Sequence, residues 1–333
     1  MTSIFQMARA VPERTQVKAA TPAKNSTIYV AGHRGLVGSA IMRQLEKSGY
    51  SSLPVRSSRE LDLRDKGAVD AFFNETKPEF IFLAAAKVGG ILANDTFPAD
   101  FIRDNLLIQL NVIEAARKFG ASKLMFLGST CIYPREARQP MNEDDILTGP
   151  LEPTNSAYAV AKIAGLEMIR AYRDQHGFNG ISIMPTNLYG PGDNFDLETS
   201  HVLPALIRRF HDAKTSGADR VTIWGTGTPL REFMHADDLA DAAVWLMENY
   251  DNGQMLNVGT GEEISILDLA RLVAKIVGFE GDVTTDTTKP DGTPRKLCDT
   301  TRLRALGWKP KISLEDGIAS TYKWFLENDK GSA

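Results

Sequence analysis

A short apolar, β-branched run, Thr27–Ala31, leads straight into Gly32, Gly35 and Gly38 at a G-x-x-G-x-x-G spacing, and a helical pattern occupies Ser39–Lys47. Each glycine has a separate job in such a strand–turn–helix unit. The first allows the tight turn, the second lets backbone approach a pyrophosphate, and the third lets the helix pack on the strand. The helix N-terminus then offers free N–H groups and the positive end of its dipole to an anion. This start commits the chain to a nucleotide-binding α/β unit, and the residues after Lys47 keep the alternation. Leu53–Arg56 reads as a second strand, Asp65–Thr76 as a helix, and Phe80–Ala84 as a buried strand. Pro98–Phe119 reads as a long helix, Lys123–Gly128 as a strand, Tyr158–Gln175 as a helix, and Ile181–Pro185 as a fifth strand. Strands separated by helices predict a parallel sheet with helices on both faces and ligands at the carboxyl ends of the strands. The fold class is therefore α/β: a Rossmann-type doubly wound parallel sheet with a smaller C-terminal α/β unit.

Beyond Gly192 the pattern loosens. Helices are expected over His201–Ala213, Ala236–Tyr250 and Ile264–Val277, and strands over Val221–Trp224 and Met255–Val258. The Thr, Asp, Gly, Pro and Lys content of Thr285–Lys296 reads as a functional loop. These elements divide the chain into a cofactor domain of residues 25–187 plus 231–262 and a substrate domain of residues 188–230 plus 263–330. Residues 1–24 show no period and no apolar signal core, and read as a disordered tail.

Composition removes several function classes. A formal net charge of −4 over 333 residues argues against general nucleic-acid binding. No apolar run approaches the ~20 residues needed to span a bilayer. The two cysteines, Cys131 and Cys298, cannot make a disulfide framework, and no metal-ligand spacing is visible. A reducing, cytoplasmic compartment is the expectation.

The chemistry gathers on one rim. Tyr158 and Lys162 lie four residues apart and share one helix face. A phenol has a free pKa of about 10, and an ammonium beside it favours the phenolate. The pair is therefore a proton-transfer device, with Lys162 expected to lower the pKa of Tyr158. Ser129 ends the fourth strand and can donate to the same carbonyl oxygen as Tyr158. The second strand, which selects between dinucleotides, ends in Arg56, Ser57, Ser58 and Arg59 where an NAD site would carry an acidic residue. Forked guanidiniums suit a 2′-phosphate. Arg56, Arg59 and, within the glycine turn, Arg34 are the candidates. On position alone, Cys131 is a small buried hydrophobe or a group of the same rim, and His201 is a helix-end polar residue or a titrating one. Arg209, Trp224, Arg231 and Lys296 could form a pocket for a nucleotide-sugar, with a flat surface and several cations for a pyrophosphate.

Taken together, the glycine turn, Ser129, Tyr158/Lys162 and the segment Arg231–Asp238 resemble the extended short-chain dehydrogenase/reductases that act on nucleotide-sugars. The stretches Ala31–Ala40, Leu83–Gly90, Leu127–Pro134, Met184–Pro191 and Lys289–Lys296 narrow the resemblance to the branch that both epimerises and reduces GDP-bound keto-sugars. It runs from about residue 27 to the C-terminus. The resemblance implies NADP(H) as cofactor and GDP-4-keto-6-deoxy-D-mannose as substrate, converted by 3,5-epimerisation and 4-reduction to GDP-L-fucose. It implies Ser129, Tyr158 and Lys162 as the reductase set, and Cys131 and His201 as epimerase base and acid. For the cofactor it implies Gly32, Arg34, Gly35, Leu36, Val37, Gly38, Arg56, Arg59, Asp62, Leu127, Gly128, Lys162, Pro185, Asn187, Leu188 and His201. Arg209, Trp224, Arg231 and Lys296 fall at its GDP-sugar positions. A homodimer through the two long helices is implied as well. The chain departs from the pattern at Ser58, where an arginine is expected, and at Thr130, which replaces a serine. Two rivals remain. A UDP-hexose 4-epimerase or a 4,6-dehydratase would carry an acidic residue after the second strand, and a dehydratase an acidic pair near Ser129. A non-enzymatic NADP-sensing protein would be free to lose Tyr158 and Lys162.

Overall fold

The computed structural model describes residues 16–197 and 199–328. Strand β1 (Ile28–Ala31) runs into the glycine turn, and helix α1 (Leu36–Lys47) starts directly from it. Next come α2 (Lys66–Thr76), β2 (Phe80–Leu83), α3 (Ile91–Thr96), α4 (Pro98–Lys118), β3 (Lys123–Leu127), α5 (Ser156–His176) and β4 (Gly180–Pro185). The looser half gives β5 (Asn187–Tyr189), α6 (Val202–Ser216), β6 (Arg220–Trp224), β7 (Leu230–Arg231), β8 (Phe233–His235), α7 (Ala236–Asn249) and β9 (Leu256–Val258). It closes with β10 (Ile264–Ser265), α8 (Ile266–Val277), β11 (Asp282–Asp286), β12 (Arg295–Lys296), α9 (Thr301–Ala305) and α10 (Leu314–Asn328).

The main sheet has the order β1-β2-β3-β4-β9, and every pairing in it is parallel. Its strands are buried throughout, which explains their unbroken apolar sequences: a strand covered on both faces has no polar side to alternate. One face packs Ile28, Val30 and Phe82 against α1 and α7 through Ile41, Leu45, Leu239 and Leu246. The other packs Tyr29, Ile81 and Phe126 against α2, α4 and α5 through Phe73, Val112 and Ile169. A second core joins α6, α8 and α10 through Ile207, Phe210, Leu269, Val273, Ile318 and Phe325. Among the described residues no helix is long and apolar enough to cross a membrane.

The structure differs from the sequence expectation in several places. Leu53–Arg56 is not a strand: Ile28 N–H donates to Ser52 C=O at 2.9 Å, but no ladder continues from it. Pro54 has no N–H to offer one. Residues 1–15 of the expected tail lie outside the described residues, yet residues 18–21 are docked. Asn179 Nδ2 donates to Lys18 C=O at 3.1 Å, Thr21 Oγ1 donates to Glu248 C=O at 3.0 Å, and Ala20 packs on the first core. The loop expected over Thr285–Lys296 begins inside β11 and ends in β12; in β11, Val283, Thr284 and Thr285 are β-branched strand formers between two aspartates. Leu303 and Trp308, placed by sequence in the substrate domain, pack into the first core with α7. Helix α10 is a further element beyond the sequence reading.

Candidate active site

The carboxyl ends of β1 to β4 open into one cleft of about 850 Å³. Its floor is the glycine turn. Gly32 takes φ +87°, and a Cβ there would sit 2.9 Å from Ala85 backbone. A Cβ on Gly38 would lie 2.1 Å from Gly32 O, so the third glycine is what lets α1 begin against the strand end. Gly35 caps α1 with no side-chain hydrogen bond, leaving its first N–H groups free for an anion.

Ser129 follows β3 as the cap of a single 3₁₀ turn, Thr130–Ile132, and its Oγ accepts from Cys131 N–H at 3.3 Å. That turn carries Cys131 to the cleft wall two residues beyond Ser129. Helix α5 starts at Ser156 behind a second 3₁₀ turn, Pro153–Asn155, and presents Tyr158 and Lys162 to the same space. Lys162 Nζ lies 5.9 Å from the Tyr158 ring centroid and donates to Leu127 C=O at 2.9 Å. His201 caps α6 and lines the same cleft.

Electrostatics correct one expectation. Burial pushes the Tyr158 phenol above its usual value, a charge on Cys131 would push it the same way, and only the Ser129 hydroxyl pulls it back. Burial also lowers Lys162 to about 8. Desolvation therefore dominates both groups, and Tyr158 is held protonated, as a proton donor must be. Packing of the surrounding walls lowers the His201 imidazole, although the residue keeps a solvent-exposed edge.

Of the expected catalytic and cofactor residues, every one but Arg59 lines this cleft. Arg59 is exposed in the 57–60 turn and forms no part of the wall, whereas Arg34 and Arg56 both do. Glu60, one step beyond, is occupied by the Ser57 N–H and hydroxyl at 2.7 and 2.6 Å. Arg209, Trp224, Arg231 and Lys296 lie outside the cleft as two pairs. The Arg209 guanidinium stands 5.8 Å from the Trp224 ring, and Trp224 is 65 % exposed. Arg231 and Lys296 are register partners in the β7–β12 pairing. The turn at Asp291 and Gly292 links the pairs: Thr226 N–H donates to Asp291 Oδ1 at 2.9 Å, and Gly292 abuts Arg231. Sequence reasoning missed Lys87, which lines the cleft and meets Asp104 at 3.3 Å. It also missed Asp193, another wall residue. A lysine three residues beyond the expected Phe80–Ala84 strand was the available signal for the first; nothing local marked the second.

A parallel nucleotide-binding sheet with a serine, a tyrosine and a lysine at its carboxyl rim defines the short-chain dehydrogenase/reductase class. More narrowly, the chain belongs to the NAD dependent epimerase/dehydratase family, whose model matches residues 28–259. It is 60 % identical over 305 residues to "Putative GDP-L-fucose synthase 2" of Arabidopsis thaliana, covering 92 % of this chain and 93 % of that one. It is 54 % identical over 310 residues to GDP-L-fucose synthase of Escherichia coli K12, covering 90 % and 97 %. Among solved structures, a GDP-L-fucose synthetase from Naegleria fowleri bound to NADP superposes with a TM-score of 0.86 at 30 % identity, covering 93 % of this chain and 96 % of that one. A GDP-mannoheptose C4 reductase from Campylobacter jejuni with NADP bound gives 0.85 at 40 % identity, covering 92 % and 99 %.

Proposed function

We propose that the chain is a bifunctional enzyme that epimerises GDP-4-keto-6-deoxy-D-mannose at C3 and C5 and reduces it at C4 with NADPH, giving GDP-L-fucose. The observation that carries this is the convergence of Ser129, Cys131, Tyr158, Lys162 and His201 on one cleft. A reductase alone needs the serine, tyrosine and lysine. A thiol and an imidazole added from two other elements supply a base and an acid.

The residues present fit the cofactor. The glycine turn and the uncapped start of α1 suit its pyrophosphate, and Arg34 and Arg56 suit a 2′-phosphate. When bound, NADPH supplies the hydride. Ser129 and Tyr158 aim donors at the C4 oxygen. A carbonyl so held acidifies the hydrogens on C3 and C5, because the enolate charge falls where the donors point. Cys131 takes the proton from carbon and His201 returns one to the opposite face, which inverts the centre. The same two donors hold the oxygen during reduction, and Tyr158 gives it the final proton. Lys162 orients the nicotinamide ribose and restores charge balance beside the phenol. Arg209, Trp224, Arg231 and Lys296 hold the GDP: three cations for the diphosphate and an exposed ring for the base. The enzyme works in the cytoplasm as a homodimer.

The test is the product. Wild type supplied with the keto-sugar and NADPH should give GDP-L-fucose. Cys131→Ala in D₂O should leave C3 and C5 unlabelled and yield the un-epimerised 6-deoxyhexose by reduction alone. Deuterium at both carbons at the wild-type rate would show another base at work. The likeness to a C4 reductase makes reduction without epimerisation the second reading, and wild-type product of the un-epimerised series would establish it.

A further inference from the structure

The wall of the cleft between β5 and α6 is a loop that satisfies itself almost completely. Asn194 Nδ2 donates to Thr199 Oγ1 at 2.9 Å. Thr199 N–H and hydroxyl both donate to Asp196 Oδ1, at 2.9 and 2.8 Å. Asp193 N–H donates to Gly190 C=O at 3.2 Å, and Ser200 N–H donates to Asp196 C=O at 3.0 Å. Two side-chain atoms stand apart from this closed set. Asp193 Oδ1 accepts from Asn194 N–H at 2.8 Å, but Asp193 Oδ2 is shielded from solvent and has no hydrogen-bond partner among the described residues. Ser200 Oγ is in the same state. Both residues line the reaction cleft, as do Asn194, Thr199 and His201 from the same loop.

A buried carboxylate oxygen without a donor is costly, and native proteins seldom keep one without a reason. The cost is visible here, because burial raises Asp193 to about 7. The neighbouring cation, Arg208, is engaged by Asp212 at 2.9 Å. Such a site is one donor short, and a hydroxyl-bearing ligand in the cleft supplies that donor.

We propose that Asp193 is a specificity-determining residue that binds a hydroxyl of the hexose, with Ser200 as its companion. This rests on the nucleotide-sugar reading of the cleft. Ribose hydroxyls of the cofactor share the same chemistry, but the placement of the loop favours the hexose. The loop leads from β5 through His201, a candidate reacting residue, into α6, the helix that carries Arg209. A hexose must lie along that path, between the reacting carbonyl and the diphosphate. The loop also borders cofactor candidates at Asn187, Leu188 and His201, so an NADPH titration is what separates the two kinds of hydroxyl.

The experiment compares wild type, Asp193→Ala and the nearly isosteric Asp193→Asn in steady-state kinetics with the keto-sugar, and in NADPH titrations followed by cofactor fluorescence. Turnover by wild type tests the nucleotide-sugar reading first and separately. Given that turnover, Asp193→Ala should raise KM for the keto-sugar about 10- to 100-fold, the range of a lost hydrogen bond to a charged group. Its kcat and its NADPH affinity should stay within about threefold. Asp193→Asn keeps a hydrogen-bonding group of the same shape and should recover part of the loss. Unchanged KM in both variants would overturn the proposal. Weakened NADPH binding with KM unchanged would also overturn it, and would place Asp193 at the ribose. A parallel fall of kcat, NADPH affinity and thermal stability in Asp193→Asn would reduce the residue to a support of the loop.

Discussion

Lys162 is buried, and its Nζ has Leu127 C=O as its hydrogen-bond acceptor. Burial lowers its pKa from 10.5 to about 8, so between these values the unfolded chain binds more protons than the folded one. This residue's contribution to stability therefore rises with pH from about 8 to about 10.5, and the penalty for holding it charged is fully present below pH 8. Lys162→Met, which fills the same space without charge, should raise the melting temperature of the cofactor-free protein at about pH 7 and leave it nearly unchanged at about pH 10.5. Reduction should be lost in the same variant. A lower melting temperature near neutral pH would mean that the hydrogen bond outweighs the desolvation. At the neighbouring cofactor wall, Arg34 and Arg56 line the cleft while Arg59 does not. Arg56→Ala should therefore weaken NADPH by roughly 1.5–3 kcal/mol relative to NADH, the value of a hydrogen bond to a charged group. Arg59→Ala should not change the preference. Equal effects in paired kinetics with the two cofactors would reverse the assignment.

Between elements, buried charge does the joining. Glu232 sits between β7 and β8 with no exposed surface. Its Oε1 accepts from Gly261 N–H at 2.7 Å and its Oε2 from Cys298 N–H at 2.9 Å. One carboxylate thus ties the segment after β9 and the segment after β12 to the strand between the two cores. Glu232→Ala leaves the buried Cys298 N–H and the half-buried Gly261 N–H without acceptors, a buried one being worth about 1–3 kcal/mol. The variant should lose about 2–5 kcal/mol in urea unfolding, read from the midpoint at unchanged slope. A loss below about 1 kcal/mol would mean that water replaces the carboxylate. Lys123 plays a similar part at the first residue of β3, donating to Met247 C=O at 2.8 Å and pairing with Asp251 at 3.0 Å. Asp251 also accepts from Ala20 N–H at 3.3 Å, which is how the segment before β1 is held.

At the scale of the whole molecule, α4 and α5 lie side by side and leave Leu110 and Val160 exposed, at 47 % and 44 %. Apolar side chains on two adjacent long helices suit a self-complementary contact, which a two-fold axis makes from the same patch on both subunits. Sedimentation should find a dimer, and Leu110→Lys combined with Val160→Lys should shift it to monomer. A monomeric wild type at micromolar concentration would refute the homodimer. Val160 lies two residues from Tyr158, so the same helix would serve interface and reaction.

What the sequence determined is what local geometry dictates. Only glycine tolerates the contacts at Gly32 and Gly38, so the turn and the start of α1 were readable from spacing. Strands buried on both faces must be apolar, so β1 to β4 were readable as well. The four-residue interval of Tyr158 and Lys162 placed both on one side of α5. The tertiary structure decided everything that depends on distant segments. Burial, which no residue announces, raised the pKa of Tyr158 and lowered that of Lys162. Arg56 and Arg59 are equivalent in sequence, and only the shape of the 57–60 turn separates them. Docking of residues 18–21 depends on Asn179, Glu248 and Asp251, each more than 150 positions away. Asp193 looked like any loop aspartate. Asn194 and Thr199 direct side-chain hydrogen bonds within the loop while one Asp193 oxygen stays without a partner among the described residues, and such a balance forms only once the chain has folded.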